Sequence, residues 1–261
     1  MRSVVMVDYG GKLPELRDHL CMLIQHAHKE LAVLESLRVM IVEDMIYMIH
    51  VHGLCRYVAS WYPEFQPKFV DLEQNPLKIL EETDQNALAD EFVLIQKLFS
   101  SVFQLVEVKA YTVPLFLPPV SKETKAESSE CTIVQSSGAI DLTHCLRDTN
   151  VPTPTLNGWL LGYPVVYLFG KDHVEEAIGN LSTKSLHLYK IVVSRMFDKK
   201  TCEEEELMSF SVPYDLSREG KDEPWAKAFF THMMEKFSKS KHTWSNLRLE
   251  VSSCYPQAIA L

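Results

Sequence analysis

The sequence predicts an α+β fold: two halves that each run strand, helix, strand, strand, helix, strand, ferredoxin-like in order, or one mixed sheet flanked by helices. Three observations carry this expectation. Short β-prone runs alternate with longer stretches whose apolar residues recur at helical spacing. A stretch rich in Ser, Thr, Lys, Glu and Pro interrupts the chain near its middle. The same succession of elements reads on either side of it. The expected organisation is an N-terminal half over 1–117, a polar and partly flexible connector over 118–154, and a C-terminal half over 155–261.

The first strand is read over residues 3–8 and closes at Tyr9, Gly10 and Gly11. Leu13, Leu16, Leu20, Leu23, Ile24 and Ala27 then mark an amphipathic helix over 13–29. Residues 37–42 and 45–51 are β-prone runs split by Glu43 and Asp44, the arrangement of a tight hairpin. A second helix starts near Asp84 and carries Leu88, Phe92, Ile95, Phe99 and Val102 on one face, after which 105–111 return to strand character. The connector holds a flexible loop at 121–130 and two apolar clusters, 132–134 and 139–142.

Residues 155–169 combine turn formers and aromatics with an apolar strand, and mark the entry to the second half. Asn157, Gly158 and Gly162 read as turn residues there. A strand over 165–169 leads to a helix that Asp172 and Glu175 open at capping-box spacing. Strands follow at 186–193 and 207–212, joined by a polar loop with Glu203, Glu204, Glu205 and Glu206. A helix from Asp222 buries Trp225, Ala228, Phe229, Met233 and Phe237, and a last strand covers about 247–253.

The chain has 261 residues, 46% hydrophobic and 23% charged, with a formal net charge of -9. That balance suits a globular protein and disfavours nucleic acid or anionic membrane as partner, because either requires a basic surface. The six cysteines, Cys21, Cys55, Cys131, Cys145, Cys202 and Cys254, match neither a zinc ribbon nor a disulfide scaffold. No apolar run approaches the roughly 18 residues of a membrane span. The expected location is therefore intracellular and cytoplasmic.

The chemistry-bearing residues are few. Asp8 lies where a strand meets a glycine turn, and in the expected topology it shares a sheet edge with Glu43 and Asp44. The three carboxylates together would suit a divalent cation held by oxygen ligands. Separately, they are turn caps and solvated hairpin residues. His50 and His52 stand about 7 Å apart on one strand face, which a zinc ion spans, yet no third ligand stands at a recognised spacing. Asp141, His144 and Cys145 are close in sequence, but neighbouring side chains on an extended chain point to opposite faces. Trp159 and Tyr163 either cover the sheet or bind a partner.

The run LNGWLLGYPVVYLF over 156–169, together with VDYG over 7–10, resembles a vertebrate family of unassigned function that includes an open-reading-frame product of human chromosome one. The resemblance extends over most of the chain and implies no activity, cofactor or catalytic residue. It also implies some residues ahead of the first strand. The expected function is that of a soluble intracellular binding module, acting on an unknown protein partner without cofactor or catalysis. The alternative is a divalent-metal-dependent hydrolase or phosphotransfer enzyme using Asp8 with Glu43 or Asp44. A third reading is a catalytically dead relative of a nucleotide-binding fold.

Overall fold

The computed structural model describes residues 2–7, 12–59, 66–81, 83–112, 134–136, 139–198, 201–239 and 244–257. Asp8 and the polar stretch 121–130 lie outside them. The α+β class is observed. The elements run β1 (Val4–Met6), α1 (Glu15–Glu30), β2 (Leu37–Val42), β3 (Met45–His50), α2 (Val51–Ala59), β4 (Lys68–Asp71), β5 (Lys78–Ile79), α3 (Ala87–Thr112), β6 (Val134–Ser136), β7 (Ala139–Asp141) and α4 (Thr143–Leu146). They continue as α5 (Thr153–Leu160), β8 (Val165–Leu168), α6 (Val174–Ser182), β9 (Leu186–Asp198), β10 (Thr201–Pro213), α7 (Pro224–Ser238) and β11 (Asn246–Cys254).

Two compact units result, each discontinuous in sequence. One comprises Arg2–Trp61 and Asp90–Thr149, the other Tyr62–Ala89 and Asn150–Leu261. The first is built on a five-stranded sheet of order β1-β3-β2-β7-β6. The β2–β3 hairpin pairs Val42 with Met45 across the two residues Glu43 and Asp44, as the sequence predicts. On one face of this sheet, Cys21 and Ile24 of α1 pack with Val39, Ile41, Ile46 and Ala139, while Leu16 and Leu20 close the margin. Alternation along the strands sends Met40, Val42, Tyr47 and Ile49 to the opposite face, where each is fully buried.

The second unit holds two three-stranded sheets, β10-β9-β11 and β5-β4-β8. Both contribute to one core, in which Val70, Leu72 and Phe169 join Tyr189, Ile191, Phe210 and Val212 under the α7 residues Trp225, Phe229 and Met233. The Tyr167 hydroxyl donates to the Ser211 carbonyl at 2.7 Å and ties one sheet to the other. The solvent face of β10-β9-β11 carries cross-strand ion pairs, Arg248 to Glu204 and Lys190 to Glu206, and a pair within β11, Arg248 to Glu250. An antiparallel sheet with one wet face takes this form.

Four local expectations are corrected. Residues 105–111 belong to α3, which continues through Val106 and Val108 because no Gly or Pro interrupts Ala87–Thr112. Glu203 to Glu206 lie within β10, since their partners Arg195, Ser194, Val193 and Val192 extend the ladder beyond the apolar run. No side chain caps α6, which is entered through a 3-10 turn at Lys171–His173. Asn157 and Gly158 stand inside helix α5, which starts at Thr153 with Pro154 in its first turn. Gly158 permits close approach, as a Cβ there would stand 3.4 Å from Val166 Cγ1.

The bend is made at Gly162, whose φ is +73°. The Tyr163 amide donates to the Gly158 carbonyl, and the Gly162 amide to the Trp159 carbonyl, each at 2.9 Å. That pair of bonds is the Schellman ending of a helix, which favours glycine at the left-handed position.

Candidate functional site

In the first unit, β1 runs toward the β2–β3 turn: the Val7 amide donates to the Ile46 carbonyl at 2.9 Å. Glu43 has a φ of +54° in that turn, and Asp44 is exposed. The Glu43 amide donates to Thr143 Oγ1 at 3.0 Å, while the Thr143 amide donates to Asp141 Oδ1 at 2.9 Å. Asp141 therefore anchors the start of α4 and braces the hairpin through Thr143. Burial, with the charges of Asp44 and Glu43 behind it, pushes the Tyr47 phenol well above its usual range. Among the described residues, no three His, Cys, Asp or Glu side chains gather to hold a metal ion.

The other sequence candidates separate. His50 ends β3 and His52 lies in the first turn of α2, with ring centroids 6.0 Å apart in an edge arrangement. His50 Nδ1 accepts the Gly53 amide at 3.0 Å, so that nitrogen caps the helix. Burial first, and His52 second, pull the His50 imidazole below its ordinary range. His144 faces Arg147, whose Nη2 lies 3.1 Å from its Nδ1, and Cys145 is disulfide-bonded. Cys21 and Cys254 are free thiols. Trp159 is 4% exposed, and Tyr163 is half-buried with its ring 5.8 Å from that of Phe210. The two do not form an exposed patch.

The second unit contains a polar network at the carboxyl ends of the parallel strands β4 and β8 that the sequence reading missed. Asp71, 5% exposed, accepts from the Glu73 amide at 2.9 Å, Gln74 Nε2 at 2.8 Å and Asn86 Nδ2 at 3.2 Å. Glu73 Oε1 accepts the Gly170 amide at 2.7 Å. His173 Nδ1 lies 3.3 Å from Glu176 and 4.0 Å from Glu73 Oε2, and those carboxylates, Glu176 foremost, raise its pKa. Ligands of open parallel sheets bind at this end of the strands. Here the Glu73 carboxylate occupies the Gly170 amide that an anionic ligand would need.

A buried Ser–His contact lies at the 3-10 turns Tyr214–Leu216 and Gly220–Asp222 that follow β10. His187 Nδ1 is 2.9 Å from the Ser217 carbonyl oxygen and 3.2 Å from Ser217 Oγ, while that hydroxyl donates to the Pro213 carbonyl at 2.8 Å. A nitrogen donating to a carbonyl is protonated and does not serve as a base. Ser217 is moreover fully buried. The contact fastens a turn.

The outer face of α1 is exposed. His19, Met22, Leu23 and His26 occupy i, i+3, i+4 and i+7, one contiguous strip on the side away from Cys21 and Ile24. Met22 is 51% and Leu23 60% exposed, with Leu13 and Leu31 also exposed near the helix ends. Periodicity in the sequence assigns Leu23 to the buried stripe. The helix instead turns Leu16, Leu20, Cys21 and Ile24 inward and leaves Leu23 outside.

The chain belongs to the family described as a domain of unknown function, DUF4504, whose profile matches residues 1–261. Neither a curated protein nor a solved structure matches the chain.

Proposed function

We propose that the protein works as an interaction module, binding a protein partner through its surface and catalysing no reaction. One observation carries this reading: Met22 and Leu23 lie in solvent on α1, while Asp71, Glu73, Asp141 and His50 hold turns and helix ends. Exposed apolar residues grouped on one helix face are the usual material of a protein contact. The net charge of -9 argues against nucleic acid as that partner. No helix among the described residues is long and apolar enough to cross a membrane.

The alternative is a divalent-metal-dependent hydrolase or phosphotransfer enzyme using Asp8 with Glu43 or Asp44. It draws on one observation, that β1 ends beside the hairpin turn bearing the latter two. Metal analysis of the purified chain separates the readings. The module reading expects well under one divalent ion per chain. Stoichiometric Mg²⁺, Mn²⁺ or Zn²⁺, lost on Asp44→Ala, would replace it with the enzyme.

A further inference from the structure

We propose that the outer edge of β11 pairs with β11 of a second copy of this chain, antiparallel about a two-fold axis at Leu249, so that two three-stranded sheets join edge to edge. The Ser245 amide donates to the Ser194 carbonyl at 2.8 Å, so Ser194 faces β11, and its register partner Asn246 faces β9. A residue of an extended strand turns its amide and carbonyl to one side, and its neighbours turn theirs to the other. Arg248, Glu250 and Ser252 therefore bond to β9, while Leu247, Leu249, Val251 and Ser253 face outward. The Leu247 amide accordingly donates to Asn246 Oδ1 at 2.9 Å. Among the described residues, no backbone group pairs with the outward amides of Leu249, Val251 and Ser253, because β11 is the edge of its sheet.

Asn246–Cys254 runs along β9 without a register shift and contains neither Pro nor Lys, the residues that commonly blunt an edge. The opposite edge, β10, is interrupted by two register shifts, and the Tyr167 hydroxyl donates to its Ser211 carbonyl. Side-chain order selects the occupant. Pairing about Leu249 sets Arg248 of each copy opposite Glu250 of the other on the solvent face, in the non-hydrogen-bonded pairs where side chains stand closest. Glu250 accepts from Arg248 of its own strand through Oε1, which leaves Oε2 for the second guanidinium. On the inner face Leu249 meets Leu249, and Leu247 meets Val251 twice. Leu249 and Val251 are half-buried at the margin of the core, and the second strand covers them further. An axis at Arg248 or at Glu250 would instead oppose like charges and present backbone already bonded to β9.

An isologous contact of this kind is self-complementary and closes at two copies. The net charge of -9 opposes it weakly at about 0.15 M salt, where the screening length is about 8 Å and the groups beside the edge dominate. Main-chain hydrogen bonds supply the affinity of an added strand, so the pair does not depend on the roughly 1,200 Å² of a permanent interface, and it dissociates readily. The inference rests on the interaction-module reading and names a partner for it.

Sedimentation velocity of the whole chain between about 5 and 500 µM, with amide hydrogen exchange at both ends of that range, tests it. The expected result is a reversible monomer–dimer equilibrium in which exchange at Leu249 and Val251 slows at the high concentration. Leu249→Pro removes an outward amide and spares the ladder to β9, so it should weaken the dimer at least about 10-fold while Arg248 and Glu250 stay protected. Arg248→Glu and Glu250→Arg should each weaken it, and the double variant should restore it. A chain monomeric throughout the range, a dimer whose Leu249 and Val251 amides exchange no more slowly, or one that the double variant fails to restore, would overturn the proposal. Failure of the dimer with no metal bound overturns the pairing and leaves the module reading in place. A dimer that meets these tests while holding stoichiometric metal on Asp44 sinks that reading alone.

Discussion

Gly170 sits where β8 gives way to the turn before α6, and a Cβ placed there would stand 2.8 Å from Asn150 Nδ2. Its amide is held by Glu73, so the backbone cannot retreat without breaking that bond. Gly170→Ala should therefore destabilise the chain by about 1–3 kcal/mol in urea unfolding, and Asn150→Ala in that background should recover part of the loss. An alanine variant as stable as the parent would show that the loop yields freely. His50 gives a second test. Its folded pKa is lowered, so below the unfolded value of about 6.5 the unfolded chain binds more protons and stability falls with pH. The loss begins below that value and levels off under the folded pKa. His50→Asn retains an acceptor for the Gly53 amide, and its urea midpoint should drop less than the parent's between pH 7.5 and 5.5. Equal drops would remove His50 as a cause. None of these contacts was legible in sequence: Glu73 and Gly170 are 97 positions apart, and no local pattern announces which carboxylate will reach which amide.

Elements were more legible than contacts, and the exceptions have physical causes. Helix α7 follows its periodicity, with Trp225, Phe229, Met233 and Phe237 buried; Ala226, in place of the expected Ala228, completes that face. The β2–β3 hairpin follows its turn residues. Helix α5 does not, because Asn157 and Gly158 normally signal a turn, whereas here Pro154 starts a helix and Gly162 ends it. Strand pairing between distant segments was also hidden, as β2 with β7 and β4 with β8 are parallel contacts joined through long connections. Within β9, β10 and α7 the ring of Phe210 contacts those of Tyr189 at 5.2 Å, Phe229 at 5.6 Å and Trp225 at 6.4 Å. Burial there pushes the Tyr189 phenol up to about 12. Phe210→Ala should cost about 3–5 kcal/mol in chemical denaturation. A cost below about 1 kcal/mol would mean that the aromatic group does not hold α7 on its sheet.

At the scale of the whole molecule, Asp141 and His50 in one unit and Asp71 and Glu73 in the other hold turns and helix ends, while Met22 and Leu23 on α1 stand exposed. Membership of the DUF4504 family covers residues 1–261 and assigns no chemistry. On the proposed reading the surface serves recognition without a metal or nucleotide. A thermal-shift panel with Mg²⁺, Mn²⁺, Zn²⁺, ATP and GTP addresses it directly. A ligand at 100 times its dissociation constant stabilises a folded protein by about 2.7 kcal/mol, which for a chain of this size raises the melting temperature by roughly 5–10 °C. No such rise is expected with any of the five at millimolar concentration. A rise of that size, abolished by Asp8→Ala or Asp44→Ala, would contradict it.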